Sequence, residues 1–285
     1  MLRSVRSTHG ASSQSSQLRV ESRIAIFSQL STDAMRYAVL QTDLTPPAID
    51  QLRRAFKSVP GLTAGDAFIL GHDAFGILVK DLSEDQAGAL QGALRIEGIE
   101  TEIVDHTLLP PLPQTHFVRQ MECSPGHLLI FDPLGRQFAL EWRHIMCIAA
   151  GAVRLTDFVP RKHESPPVAR PGSHVTSYAP EYETRIHEER RFHLLGEIII
   201  TDAALRYSFT ADKFNFAGLG DRNMENTVAN FSLFVRDLIQ FSPNAVLNRG
   251  AEALRANATE ILSYPSKNAF YEEIVWMLWQ MKKAA

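Results

Sequence analysis

Cys123, His127, His144 and Cys147 are the residues in this chain whose types best suit a metal. Thiolate and imidazole are the donors zinc takes in a tetrahedral site. They are spaced as Cys-x3-His and then His-x2-Cys, and neither is a dependable finger spacing. His144 and Cys147 fall on or beside a predicted strand, where residues three apart point to opposite faces. The competing reading makes Cys147 a small buried hydrophobe and the histidines surface groups. A second set, His163, His174, His187 and His193, stands among Glu164, Glu181, Glu183, Glu188 and Glu189. Histidine titrates near neutrality, so this set could form a pH-sensitive or metal-capturing flap. A solvated loop is the plainer account.

Nucleophilic chemistry has weaker support. There is no Gly-x-Ser-x-Gly elbow, and Ser124 sits in the turn-like run Cys123-Ser124-Pro125-Gly126. His72-Asp73 falls in an expected hairpin turn, where Asp serves backbone geometry. The run Gly218-Leu219-Gly220-Asp221-Arg222 lacks both the Lys-Ser/Thr of a phosphate loop and the third glycine of a dinucleotide fingerprint. Basic residues Arg136, Arg143 and Arg154, followed by Arg161 and Lys162, gather around the first strands of the C-terminal half. They could hold a small anionic ligand. Charged strand edges that resist aggregation explain them more simply.

The elements that would position these groups belong to a chain of 285 residues, long enough for two domains. Hydrophobic residues make up 45% and charged residues 21%, which suits a globular core. A net charge of −3 gives no excess of Lys and Arg to neutralise phosphates, so a nucleic-acid partner is disfavoured. Two cysteines make no disulfide framework, and a reducing, cytoplasmic setting is expected. No apolar run reaches the roughly 18–20 residues a membrane-spanning helix needs. Residues 1–34 hold nine Ser, four Arg and two acids. This resembles an organelle transit peptide, or the true start is Met35. Either way they are expected to be disordered or outside the fold.

Residues 35–112 read as β-α-β-β-α-β. Strands are expected at 35–42, 67–70, 75–80 and 99–107. Helices are expected after Thr45 as N-cap, with Pro46 in the first turn, and after the capping box Ser83-Glu84-Asp85-Gln86. That order is the ferredoxin-like split βαβ arrangement, with one sheet face free for a partner, a second copy or the second domain. Leu108–Pro113 reads as an extended linker.

Residues 113–285 are strand-rich and then helical. Two strands flank the turn Asp132-Pro133-Leu134-Gly135-Arg136. Strands 145–150 and 152–158 follow, with a bulge or bend at Gly151. Residues 160–192 read as a mobile inserted loop on their prolines and mixed charge. Strands resume at 194–201 and 205–210, with another expected at 214–219. Helices are expected at 226–241, from Ser242-Pro243, and at 266–282. Their apolar stripes, such as Phe231, Phe234, Val235 and Leu238, suit a core.

Leu134-Gly135-Arg136, then Glu141-Trp142, then Ile148-Ala149-Ala150-Gly151, and later Phe214-Asn215-Phe216, resemble a pattern in a set of uncharacterised bacterial proteins with a pleckstrin-homology-like barrel. The resemblance spans about residues 127–280. It implies a barrel or curved sheet closed by a helix, with a binding or scaffolding role and no activity. The expected class is therefore α+β: a ferredoxin-like domain followed by a pleckstrin-homology-like one. The leading expectation is a non-enzymatic binding or scaffold protein without a cofactor. Its partner would be a protein or a second copy. The alternatives are a metal-dependent enzyme built on Cys123, His127, His144 and Cys147, and a small-molecule sensor using the ferredoxin-like domain.

Overall fold

The computed structural model describes residues 35–73, 75–164, 182–201 and 205–284. The segment 1–34, His174 and the middle of the expected loop lie outside these residues. The chain is α+β. Its N-terminal part contains β1 (Tyr37–Gln41), α1 (Ile49–Phe56), α2 (Ala64–Asp73), β2 (Ile77–Leu82), α3 (Glu84–Ile96) and β3 (Thr101–Asp105). β1 lies between β2 and β3, antiparallel to both.

The sheet therefore has three strands instead of the expected four. Residues 67–70 are helical, because Thr63 and Asp66 cap α2: Thr63 N–H donates to Asp66 Oδ2 at 2.7 Å, and Asp66 N–H donates to Thr63 Oγ1 at 3.2 Å. The first helix starts at Ile49, later than Thr45 implied, with Ala48 as its N-cap. Tandem Pro46-Pro47 explains the delay, since a residue before proline avoids helical geometry. The capping box of α3 forms as read, with Ser83 Oγ accepting from Gln86 N–H. Val39, Leu52, Phe56, Leu78, Leu90 and Leu94 make this part's core.

The C-terminal part opens with β4 (Gln114–Phe117) and the antiparallel meander β5 (Gln120–Cys123), β6 (His127–Phe131) and β7 (Gln137–Glu141). β8 (Ile145–Glu164) and β9 (Tyr182–Ile200) follow, then β10 (Leu205–Thr210), α4 (Thr227–Phe241), β11 (Val246–Leu247), α5 (Arg249–Arg255), β12 (Ser263–Tyr264) and α6 (Lys267–Ala284). The large sheet runs β11-β8-β9-β10-β4, with β12 also on β8. Both sheets in this part are open. Residues 216–222 form 3-10 turns where a strand was expected.

Gly151 does not break β8. A Cβ there would come within 2.4 Å of Tyr264 Cε2, so the glycine admits the tyrosine ring against the sheet. The bulge lies instead between Ile145 and Cys147.

Helices cover both faces of the inner half of this sheet. Phe231, Phe234 and Leu238 of α4 pack with Ile148, Ala150, Ile198 and Phe209 on one face. Ala269, Phe270 and Ile274 of α6 pack with Cys147, Ala149, Leu195 and Ile199 on the other. α6 has a second apolar face. Val275, Trp276 and Trp279 lie against Ala38, Leu40, Ile77 and Val104 of the three-stranded sheet. The sheet face expected to be free for a partner, a second copy or the second domain is thus covered by the last helix of the C-terminal part, the third of those occupants. Gln41 ties the joint: its carbonyl accepts from Trp276 Nε1 at 2.7 Å, and its side chain accepts from Gly76 N–H at 3.1 Å.

Candidate functional site

β8 and β9 pair from Ile145↔Ile200 to Glu164↔Tyr182, so much of the expected loop 160–192 is strand. β12 meets β8 at Ala152 and Val153, and β10 meets β9 from Leu195 inward. Beyond those points the two strands continue as a ribbon. At a rise of about 3.3 Å per residue, residues 154–164 reach roughly 36 Å. Polarity and prolines suggested a loop here. A strand survives because a two-stranded ribbon has no buried face to fill and can carry charge on both sides. Glu189 is held by Arg161 and Arg191, and His193 Nε2 lies 2.9 Å from Asp157 Oδ2. Arginine contact holds the Glu189 carboxyl below its usual range.

One ribbon face is open to solvent. Phe158 is 66% exposed, Ile186 70% and Phe192 57%. Register places Phe158 beside Ile186, since Phe158 is paired with Glu188 and Pro160 with Ile186; Phe192 lies on the same face opposite Arg154, roughly 13 Å further along the strands. Single exposed apolar residues are ordinary; here three share one projecting face.

The structure separates the four expected metal ligands. Cys147 is fully buried against α6, while Cys123 packs at the edge of the cluster on the opposite side of the large sheet. His127 begins β6, and His144 is exposed in the turn Trp142–His144. Among the described residues no group of three or more His, Cys, Asp or Glu is placed to hold a metal ion. Burial pushes the Cys147 and Cys123 thiols up to about 12. Ser124 is a turn residue, its hydroxyl donating to His127 O at 2.8 Å.

The expected anion-binding arginines do not converge either. Arg136 is paired with Asp132 at 2.6 Å and Arg143 with Glu141 at 2.8 Å, while Arg154 stands on the ribbon. His187 and His193 also lie on the ribbon strand β9, and His163 near its far end. Gly218 packs on β5, where a Cβ would come within 2.6 Å of Met121 O, so this run serves packing.

Two buried clusters had been missed in the sequence. Glu197 is fully buried on β9, 3.2 Å from Arg206 Nη1, and accepts from Tyr271 Oη at 2.9 Å. Arg206 stacks on the Tyr271 ring at 4.6 Å and bonds to Thr115. Burial pushes the Glu197 carboxyl up to about 7, against the pull of Arg206 and Tyr271. Glu273, also fully buried, accepts from Arg249 N–H at 2.8 Å, and Arg249 reaches Leu44 O at 3.2 Å and the Phe75 ring at 4.3 Å. A lone carboxylate inside the apolar run Leu194–Ile200 was the readable signal for the first cluster. Both clusters join separate elements, linking α6 to the large sheet and to the N-terminal part. A depression of about 460 Å³ lies elsewhere, lined by Arg236, Leu247 and Arg255. Its guanidiniums are engaged, Arg236 with Leu254 O at 3.0 Å and Arg255 with Glu252 at 2.5 Å.

No described helix is long and apolar enough to cross a membrane. No protein-family model, curated protein or solved structure matches the chain.

Proposed function

We propose that this chain is a non-enzymatic binding or scaffold protein whose β8–β9 ribbon engages a protein partner. One observation carries the reading: a two-stranded ribbon runs roughly 36 Å past the covered part of the sheet and exposes Phe158, Ile186 and Phe192 on one face. Burying one such aromatic or aliphatic side chain against a partner is worth about 1.5–3 kcal/mol. The helices on both faces of the sheet supply a rigid root for the arm. The buried polar clusters support the same reading, because the ion pairs Glu197–Arg206 and Glu273–Arg249 each join separate elements.

The architectural part of the proposal is a ferredoxin-like unit reduced to three strands, followed by a pleckstrin-homology-like unit with open sheets. Helix α4 lying on strand-rich packing supports the second likeness. A cytoplasmic site of action is proposed with it, on the two cysteines free of disulfides.

The test is site-specific photo-crosslinking in cells. A crosslinker replaces Phe158 in one variant and Ile96, exposed at 85% on α3, in another. A discrete adduct from position 158 and none from position 96 is expected. Equal labelling from both positions would remove the ribbon as the interface.

A further inference from the structure

We infer that the ribbon's partner is a second copy of this chain, docked edge to edge on β9 so that two ribbons form one four-stranded antiparallel sheet. This rests on the ribbon being the interface, and it names the occupant.

The backbone shows which edge is open. Ala152 N–H donates outward to Leu262 O at 2.9 Å, and Leu194 O accepts from Ala211 N–H at 3.0 Å on the other side. Ala152 and Leu194 are direct partners, and the pairing runs without a shift from Cys147 to Glu164. Backbone groups of successive residues alternate sides along a strand. The even-numbered residues of both strands therefore turn their N–H and C=O groups away from the ribbon.

Pro160 is even-numbered. Its missing N–H costs the ribbon no internal bond and interrupts the outer edge of β8, a known guard against edge pairing. The β9 edge has no such guard. From Tyr182 to Phe192 it holds no proline, and among the described residues no strand pairs with it. Glu188, Arg190 and Phe192 present outward N–H groups there.

The sequence of that edge is complementary to itself. In an antiparallel two-fold register centred on His187, Arg191 faces position 183, a glutamate, and Glu189 faces position 185, an arginine. Phe192 faces position 182, a tyrosine, and Ile186 faces Glu188. No Lys or Arg faces another, and no acid faces another. A two-fold interface requires this self-complementarity. The overlap ends where β10 begins, so neither copy displaces its own sheet. Even residues 182–192 would form about twelve inter-chain backbone bonds, within the ten or so of a standard interface. Phe158, Ile186 and Phe192 of both copies would then share one face of the joined sheet.

The experiment is sedimentation of the full chain over a dilution series, with two proline variants. Arg190→Pro removes an outward N–H of the β9 edge and keeps the β8–β9 bonds. Thr156→Pro, its direct partner in the ribbon, does the same on the already guarded β8 edge. The wild type and Thr156→Pro should sediment at twice 31.9 kDa. Arg190→Pro should sediment at 31.9 kDa with unchanged far-ultraviolet dichroism, its dimer dissociation constant raised at least a hundredfold. A dimeric Arg190→Pro, or a monomeric wild type, overturns the inference. If the wild type is monomeric yet position 158 still crosslinks a different protein, the ribbon remains an interface and only its occupant was wrong. If position 158 crosslinks nothing as well, both readings fail.

Discussion

Asn248 offers the sharpest test of how the ribbon is rooted. It is fully buried at the start of α5, and every polar group of its side chain is engaged. Oδ1 accepts from Ala251 N–H and from Ala150 N–H, both at 2.9 Å. Nδ2 donates to Ala150 O at 3.2 Å and to Tyr264 Oη at 2.8 Å. The side chain thus caps a helix and pairs with the edge of β8 as a short strand would. Asn248→Ala loses the cap, worth about 1 kcal/mol. It also orphans both backbone groups of Ala150, at about 1–3 kcal/mol for each group left without a partner, and takes one donor from the Tyr264 hydroxyl, which keeps Glu273 and the Gly250 backbone. These losses overlap, and we expect a total of about 3–5 kcal/mol, since one relaxation can serve several groups. For a chain of this size each kcal/mol moves the melting temperature by about 2–4 °C, so a drop of roughly 6–20 °C is expected. Urea unfolding followed by tryptophan fluorescence reads the free energy directly. A loss below about 1 kcal/mol, the worth of the cap alone, would mean that Ala150 does not depend on Asn248 and would refute the reasoning.

Further outcomes follow from the buried groups. Burial raises the Glu197 carboxyl from the ordinary 4.5 to about 7, so the native state binds its proton more tightly than the unfolded chain does. Stability should therefore be highest below about pH 4.5 as far as this group is concerned, and fall as pH rises towards 7. Glu197→Gln should flatten that slope in urea midpoints measured across the window, and an unchanged slope counts against the assignment. With both thiols pushed up to about 12, native protein at neutral pH should resist iodoacetamide at Cys123 and Cys147 and take two labels once unfolded. Rapid native labelling of either would contradict the burial. Gly76 has φ +87°, and a Cβ there would stand 2.5 Å from Trp276 Cγ. Gly76→Ala should cost about 2 kcal/mol or more through strain and displaced packing and shift tryptophan emission to the red; a wild-type melt would contradict the joint between α6 and the first sheet.

Local chemistry was legible in the sequence wherever its partners lie close along the chain. The Ser83–Gln86 box formed as read. So did the turn at Asp132, whose side chain accepts from Leu134 N–H and Arg136 N–H, both at 2.8 Å. The short apolar run at 67–70 was ambiguous by pattern, since four such residues suit a strand or a helix turn; Thr63 and Asp66 held the deciding signal. The ribbon was misread for a different reason. Its strands bury no face, so the alternation that identifies a half-buried strand is missing, and prolines weigh towards a loop. The Glu197–Arg206 and Glu273–Arg249 pairs depend on contacts across nine and twenty-four positions and on the packing of α6, and a single sequence carries no periodic trace of either.

The two apolar faces of α6 explain why the ribbon, and not the first sheet, is left to meet a partner. Val275, Trp276 and Trp279 close the three-stranded sheet, while Phe270, Ile274 and Leu278 close the inner half of β8 and β9. The helix covers the sheet only where β10 and β12 flank the two long strands. Past that boundary, among the described residues, no helix packs on the ribbon, and the strands alternate charge with a few large apolar groups. Such a segment holds its backbone order through its own ladder, while among the described residues no strand pairs with its outer amides. The same α6 that covers the first sheet thus leaves the β9 edge, among the described residues, as a long run of strand backbone without a neighbouring strand or a proline. In the dimer we propose, the complementary charges of a second copy would satisfy it.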